Sequence, residues 1–384
     1  MHQSLTPFTS LPIAHLLRLC LNIPLFVLLL CGCAGKDLQD WHTKRLYSEF
    51  TAKDADTVIT LADYQALEEQ LFAEMVDKVY VDNDTGNLIN RYAKGSLADP
   101  LAQEVNWNRS FKLSAENPVG GVLLLHGLSD SPYSLRGLGL SLNAQGYQVV
   151  GMRMPGHGTT PSGILYVKWQ DMAAAVDIGM RELASDLRGK PIHIVGYSTG
   201  ATLALDFSLR TIEGSAKPKP ASVVLISPAI GVTAAAGLAK IPRGLSKLPG
   251  LAGMGYTAVE LEFDPYKYNS FTANAGDLVH KITRSVSGRL NKLSSEQLRD
   301  GMPPILAFHS TVDATVSTDA MVDHLMKRLD PERHELIIFD INRFSAVDTL
   351  LVSDPAPVTD RLVSSGSLPF DLTFVGSGPR ILLR

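Results

Sequence analysis

Pro191-Ile192-His193-Ile194-Val195-Gly196-Tyr197-Ser198-Thr199-Gly200 decides the fold of this 384-residue chain. The run Pro191 to Val195 has the length and apolar character of a buried strand, and an apolar helix follows Gly200. The turn between them carries a serine flanked at two residues on either side by glycine, the pattern Gly-x-Ser-x-Gly. Its spacing has a steric cause: a serine held on so sharp a strand-to-helix turn takes a strained backbone conformation, and side chains two residues away would collide with the turn. Such a turn presents the serine hydroxyl at the end of a sheet, where it can act as a nucleophile.

Working outward, the same rhythm of short apolar runs and amphipathic segments recurs. Val119 to Leu125, Tyr147 to Met154, Ser222 to Ile226, Pro304 to Phe308 and Glu335 to Phe339 read as further strands. Helices are expected near Tyr133 to Gln145, over the stripe Met172, Val176, Met180, Leu183 and Leu187, and over Asp319 to Arg328. Alternation of this kind implies right-handed crossovers and an α/β fold, a mostly parallel sheet with helices on both faces. A gap of some 75 residues separates the strands at Ser222 and Pro304, too long for a bare loop. It reads as an inserted helical cap, about 231–301, over the sheet's C-terminal edge. Leu238, Ile241, Leu245, Leu248 and Leu251 in it suggest an apolar acyl pocket or ordinary packing of the cap onto the sheet. Ahead of the sheet, 33–110 reads as a spacer and helical arm, in which Thr60 and Asp63 suit a capping box before Tyr64, Leu67, Leu71 and Met75. The main domain spans 111–345 and a C-terminal extension 346–384, with Phe370 to Val375 resembling a strand.

Composition removes several function classes. Lys and Arg number 35 against 39 Asp and Glu, a formal charge of −4, without the basic excess that tracks a phosphate backbone, so nucleic acid is not an expected partner. The three cysteines, Cys20, Cys31 and Cys33, all precede Lys36, which excludes a disulfide framework or thiolate metal site from the rest of the chain. Leu16 to Leu30 is nearly all apolar and ends in small residues rather than charged ones, a signal-peptide layout over 1–32. Leu30-Cys31-Gly32-Cys33 resembles a bacterial lipobox, which would make Cys33 the acylated mature N-terminus; the alternative is an uncleaved anchor helix. Both readings export the chain and tether it to a membrane, and Ala34 after the cysteine resembles outer-membrane sorting.

Three further features belong to a site around Ser198. His126-Gly127-Leu128 follows the first core strand, so the amide of Leu128 can face the same sheet edge, and with the amide of Thr199 it would form an oxyanion hole. His126 precedes the serine and reads as a brace for this loop rather than as a base. Asp313, directly after the strand Ile305 to Phe308, is favoured as the acid that orients an imidazole, over Asp323, Asp330 and Asp340.

Leu124-Leu125-His126-Gly127, Arg153-Met154-Pro155-Gly156-His157-Gly158, the turn around Ser198, the cap-sized insertion and Asp313 with Val316 resemble the α/β-hydrolase superfamily. Within it they are most similar to the monoacylglycerol lipase, lysophospholipase and serine-aminopeptidase-like branch, over about Pro118 to Phe344. The resemblance implies an eight-stranded sheet, a helical cap, a Ser-Asp-His set without metal or organic cofactor, and a small-molecule ester or lipid substrate. Oligomeric state has no signature in the sequence. One element departs from the pattern. The family's histidine follows the last strand, where this chain reads Asp340-Ile341-Asn342-Arg343-Phe344-Ser345, and no histidine occurs from Glu335 to Arg384. Phe344 holds the expected place. Three readings stand side by side: a chain incomplete or shifted in frame near its end, a cleft that binds without turnover, or another residue such as His334 acting through a rearranged loop.

Overall fold

Six consecutive buried residues, Gly120–Leu125, form the strand around which the rest is arranged. A strand buried on both faces has to sit inside a sheet covered by helices on either side, and the computed structural model places it there. The structure describes residues 37–82, 88–230, 252–311, 318–330, 333–339, 356–364, 368–376 and 381–383. Leu238, Ile241, Leu245, Leu248 and Leu251 of the expected cap, together with Cys33, Asp313 and Phe344, lie outside these residues.

The strands are β1 (Phe111–Leu113), β2 (Gly120–Leu125), β3 (Tyr147–Met152), β4 (Ile192–Tyr197), β5 (Ser222–Ile226), β6 (Tyr256–Ala258), β7 (Phe271–Thr272), β8 (Ile305–Ser310), β9 (His334–Phe339), β10 (Asp371–Val375) and β11 (Ile381–Leu383). The helices are α1 (Asp40–Thr43), α2 (Leu61–Val79), α3 (Arg136–Ala144), α4 (Ser162–Tyr166), α5 (Trp169–Leu187), α6 (Thr199–Ile212), α7 (Ala273–Lys292), α8 (Ser295–Gly301), α9 (Thr318–His324) and α10 (Ala356–Ser364). Nine strands form one sheet in the order β1-β3-β2-β4-β5-β8-β9-β10-β11, and β6 pairs with β7 apart from it. Pairing is parallel from β3 through β10, with β1 and β11 antiparallel at the two edges. The sheet is thus one strand wider than the eight expected, because the segment set apart as an extension pairs with β9 through β10 and then adds β11.

Part of the segment read as cap belongs to the body of the fold. α7 buries Leu278, Ile282, Val286 and Leu290 in the main apolar core. Arg289 on α7 pairs with Asp206 and Glu213 on or beside α6, and Arg210 on α6 joins Asp206 to Asp177 on α5. The long gap between β5 and β8 therefore contains the crossover helix that a parallel connection requires.

The arm is capped as its sequence indicates: Thr60 Oγ1 accepts the Asp63 N–H at 3.1 Å and Asp63 returns a bond to the Thr60 N–H at 2.9 Å. From that cap α2 buries Leu61, Tyr64, Glu68, Leu71, Phe72, Met75 and Val79. A glutamate in the middle of this apolar stripe calls for a cationic partner.

His334 opens β9 opposite Ile305, and its Nδ1 accepts the Ile305 N–H at 3.1 Å. Burial lowers its pKa from 6.5 to about 4. Between those values the unfolded chain holds a proton that the folded chain does not, so this contribution to stability is present above about pH 6.5 and lost as pH falls toward 4. Urea midpoints measured at about pH 7 and about pH 5 should therefore fall less for His334→Gln than for the wild type.

Candidate active site

β4 delivers Ser198 to the C-terminal edge of the sheet, and α6 begins at the next residue. The Ser198 backbone has φ 52° and ψ −114°, a conformation that a β-carbon makes costly. The surroundings hold it there. Its N–H donates to the Ile226 carbonyl at 2.8 Å, and its own carbonyl accepts the Ala201 and Thr202 amides at 3.1 and 3.2 Å. The two glycines of the motif have separate steric causes. A β-carbon on Gly196 would lie 2.5 Å from the Ala201 backbone, and one on Gly200 would lie 2.1 Å from the Leu125 carbonyl oxygen at the end of β2. Gly200 thus lets α6 start directly against the neighbouring strand. Gly200→Ala should give little folded protein, because the clash is with backbone at a junction of two core elements; soluble yield and thermal unfolding measure it.

The turn after β2 lies beside the serine: a β-carbon on Gly127 would sit 3.4 Å from Ser198 Cβ. The amides of Leu128 and Thr199 donate no hydrogen bond among the described residues. Thr199 is the first residue of α6, where an N–H has no partner within the helix, and the positive helix end favours anionic charge. Ser198 itself is partly accessible.

His126 braces this turn. Its Nε2 accepts the Met154 N–H at 3.0 Å, which leaves the proton on Nδ1 to be donated to the Gly127 carbonyl at 2.8 Å. Burial, reinforced by the neighbouring His157, holds its pKa well below the usual imidazole range. With both nitrogens engaged, it is a neutral strut. His157 is buried likewise, with a pKa of about 4, and its Nδ1 donates to the Pro155 carbonyl at 3.0 Å.

The partner of Glu68 is Arg153, at the end of β3. The Arg153 side chain is fully buried, its Nε donating to Glu68 Oε1 at 2.9 Å and its two terminal nitrogens to both carboxylate oxygens of Glu49 at 3.0 and 2.9 Å. Nη1 also donates to the His157 carbonyl at 3.0 Å, and Ser110 gives Glu68 both its N–H and its hydroxyl. Burial pushes the Glu68 carboxyl up, opposed by Arg153 and the Ser110 donors. Tyr64 on α2 donates to the Arg153 carbonyl at 2.9 Å. The arm thus grips Arg153, the next residue's amide grips His126, and His126 grips the turn beside Ser198. The sequence reading missed this chain of contacts, although a glutamate in an apolar stripe and an arginine beside a buried strand were its two signals. Glu68→Ala leaves the guanidinium buried and partly unpaired, and should cost about 3–5 kcal/mol of stability in urea denaturation.

The sheet register places both His334 and His309 away from the serine. Register places His334 level with Ile194, three strands from β4 and at the opposite edge of the sheet. That is about 13 Å along the strands and about 14 Å across them from Ser198. His334 is therefore excluded as the replacement base, since its position is set by the first rung of the β8–β9 ladder and not by a loop. His309 reaches the serine's edge but lies two strands away, with its ring buried on the face of Ile305 and Ala307. His324 is exposed on α9. Asp323 is an exposed partner of Lys327 and Arg361. Among the described residues no group of His, Cys, Asp and Glu is arranged to hold a metal ion, and no helix is long and apolar enough to cross a membrane.

A serine on a strained strand-to-helix turn at the C-terminal edge of a mostly parallel, doubly covered sheet, with a second turn's amides beside it, defines the α/β-hydrolase class. A model of the alpha/beta hydrolase family matches residues 122–344, and the chain belongs to that family. It is 33% identical over 138 residues to the thermostable monoacylglycerol lipase of Bacillus sp. (strain H-257), covering 35% of this chain and 52% of that protein. It is 30% identical over 102 residues to an uncharacterized protein of Mycobacterium tuberculosis, covering 27% of this chain and 28% of the other. The chain spans about half the length of the first of these relatives and about a quarter of the second. A solved structure from work on LipS and LipT, two metagenome-derived lipolytic enzymes, aligns with a TM-score of 0.48 at 18% identity, over 68% of this chain and 98% of that one.

Proposed function

We propose that the chain is a serine hydrolase of carboxylic esters, with monoacylglycerols and lysolipids as its substrate class, tethered through Cys33 to the extracytoplasmic side of a bacterial membrane. The strained turn at Ser198 beside two amides without acceptors carries this reading, and the monoacylglycerol lipase relative supports the substrate class. Ser198 Oγ attacks the ester carbonyl while a base removes its proton. The oxyanion accepts the N–H groups of Leu128 and Thr199. Collapse breaks the ester bond and releases the alcohol with that proton, leaving an acyl group on Ser198 that water hydrolyses by the same route. Asp313 orients the base, and no metal or cofactor takes part.

The base itself is the open position. The Thr311 amide donates to the Phe339 carbonyl at 3.1 Å, so the chain departs toward Asp313 and toward Phe344 from two points joined by one hydrogen bond. A histidine at 344 would start from the same corner as the acid. The second reading, a cleft that binds lipid or peptide without turnover, is favoured by the phenylalanine at that place.

A fluorophosphonate probe applied to the full chain should label Ser198 rapidly, with no labelling of Ser198→Ala. Absence of labelling in the folded wild type rejects an activated nucleophile and supports the binding reading. Phe344→His should raise short-chain ester turnover by about 100-fold or more if a base is all that is missing. An unchanged rate in folded protein refutes that account of the deficit.

A further inference from the structure

Eight large apolar side chains among the described residues are more than half exposed: Tyr47, Ile59, Leu88, Ile89, Leu97, Val119, Leu261 and Phe263. Single exposed apolar residues are ordinary, but a contiguous group marks a contact surface. Five of the eight fall on two segments that touch. Leu88, Ile89 and Leu97 stand on the loop after α2, and Leu261 and Phe263 on the connection between β6 and β7; Leu97 and Leu261 are the two most exposed of all, at 79% and 76%. The Arg91 amide donates to the Glu262 carbonyl at 2.8 Å, and the Leu97 amide to the Leu88 carbonyl at 2.9 Å.

The patch adjoins the serine's edge of the sheet. Arg91 Nη2 donates to the Gly158 carbonyl at 3.0 Å in the loop after β3, and the Tyr268 amide to the Ser129 carbonyl at 2.8 Å, one residue beyond Leu128. The first described residues pack at the same place. His42 Nε2 meets Ser270 Oγ at 3.0 Å, and Tyr256 donates to the His42 carbonyl at 2.7 Å, so the first described residues pack on the β6–β7 unit that carries Leu261 and Phe263. Cys33 lies four residues before Asp37, a span of at most about 14 Å. Exposed charges around the patch are mixed, Lys94 and Lys267 against Glu104 and Glu260.

We propose that Leu88, Ile89, Leu97, Leu261 and Phe263 form a membrane-docking face, which inserts into the acyl boundary of the bilayer that anchors Cys33 and holds the Ser198 edge against the lipid. This rests on the tether and substrate class proposed above. The mixed charge makes the insertion apolar, with no requirement for anionic lipid. An ester substrate then passes from the bilayer into the site without crossing water.

The test uses the full chain reconstituted in phosphatidylcholine vesicles, with Leu261→Cys or Val119→Cys carrying an environment-sensitive fluorophore and the mass of the Cys33 peptide read in parallel. Val119 precedes β2 and lies at the opposite edge of the sheet. Insertion gives a blue shift at 261 and quenching by nitroxides on the lipid acyl chains, neither at 119, with the same result when anionic lipid is added. No quenching at 261 overturns the proposal, and so does a blue shift without vesicles that grows with protein concentration, which assigns the face to a second copy. The same measurement in Ser198→Ala reports docking whether or not the chain turns over substrate. On the active chain, Leu97→Asp with Leu261→Asp should lower hydrolysis of vesicle-borne long-chain monoacylglycerol by about tenfold or more and leave a soluble short-chain ester unaffected. An equal loss on both substrates also overturns it.

Discussion

A guanidinium with no access to water has to be paired, and in this protein its partners come from outside the sheet. Arg153 directly follows β3 with its side chain fully buried, and the two carboxylates that neutralise it, Glu49 and Glu68, belong to the N-terminal arm. Replacing such a pair by apolar groups can be neutral, but removing one member is costly. The arm is therefore bound to the body by a requirement of charge as well as by its apolar stripe. From Arg153 the constraint runs through the Met154 amide and His126 to the turn beside Ser198, so the geometry of the serine's edge depends on residues more than 80 positions away in the chain.

The sheet turns this local bracing into a site. Because β2, β4, β5 and β8 run parallel, their C-terminal ends gather at one edge. That edge receives the His126 turn, Ser198, and the departures toward Asp313 and Phe344. The same geometry excludes His334, which occupies the first rung of a strand whose other end faces the site. The tight turn at Ser198 is steric in origin: Gly200 admits the Leu125 carbonyl at a distance no β-carbon tolerates, and the strain at Ser198 is held by bonds to β5 and α6.

Legibility of the sequence followed the range of the interactions. Strand cores could be read because burial on two faces leaves uninterrupted apolar runs, and the serine turn because its glycines lie within five residues of each other in sequence, although the carbonyl that requires Gly200 belongs to Leu125 on β2. The arm's capping box is equally local. α7 was harder to place: its stripe of Leu278, Ile282, Val286 and Leu290 gives a helix but does not say whether it covers the sheet's edge or flanks it, and the salt bridges of Arg289 to Asp206 and Glu213 decide that. The Glu68–Arg153 pair was invisible to periodicity, since the partners are 85 residues apart. β11 was missed because three residues pairing only at an edge leave too short a pattern to read.

The separation of those partners also sets an order of events. A chain delivered N-terminus first presents α2 well before β3 exists, and until Arg153 arrives Glu68 can stay charged only by remaining in water. The helix has its own cap, but until then its apolar face lacks the partner that holds Glu68. Closing so long a loop precedes any gain from the ion pair. The arm therefore gains its ion pair only once β3 has formed, 85 residues further along the chain.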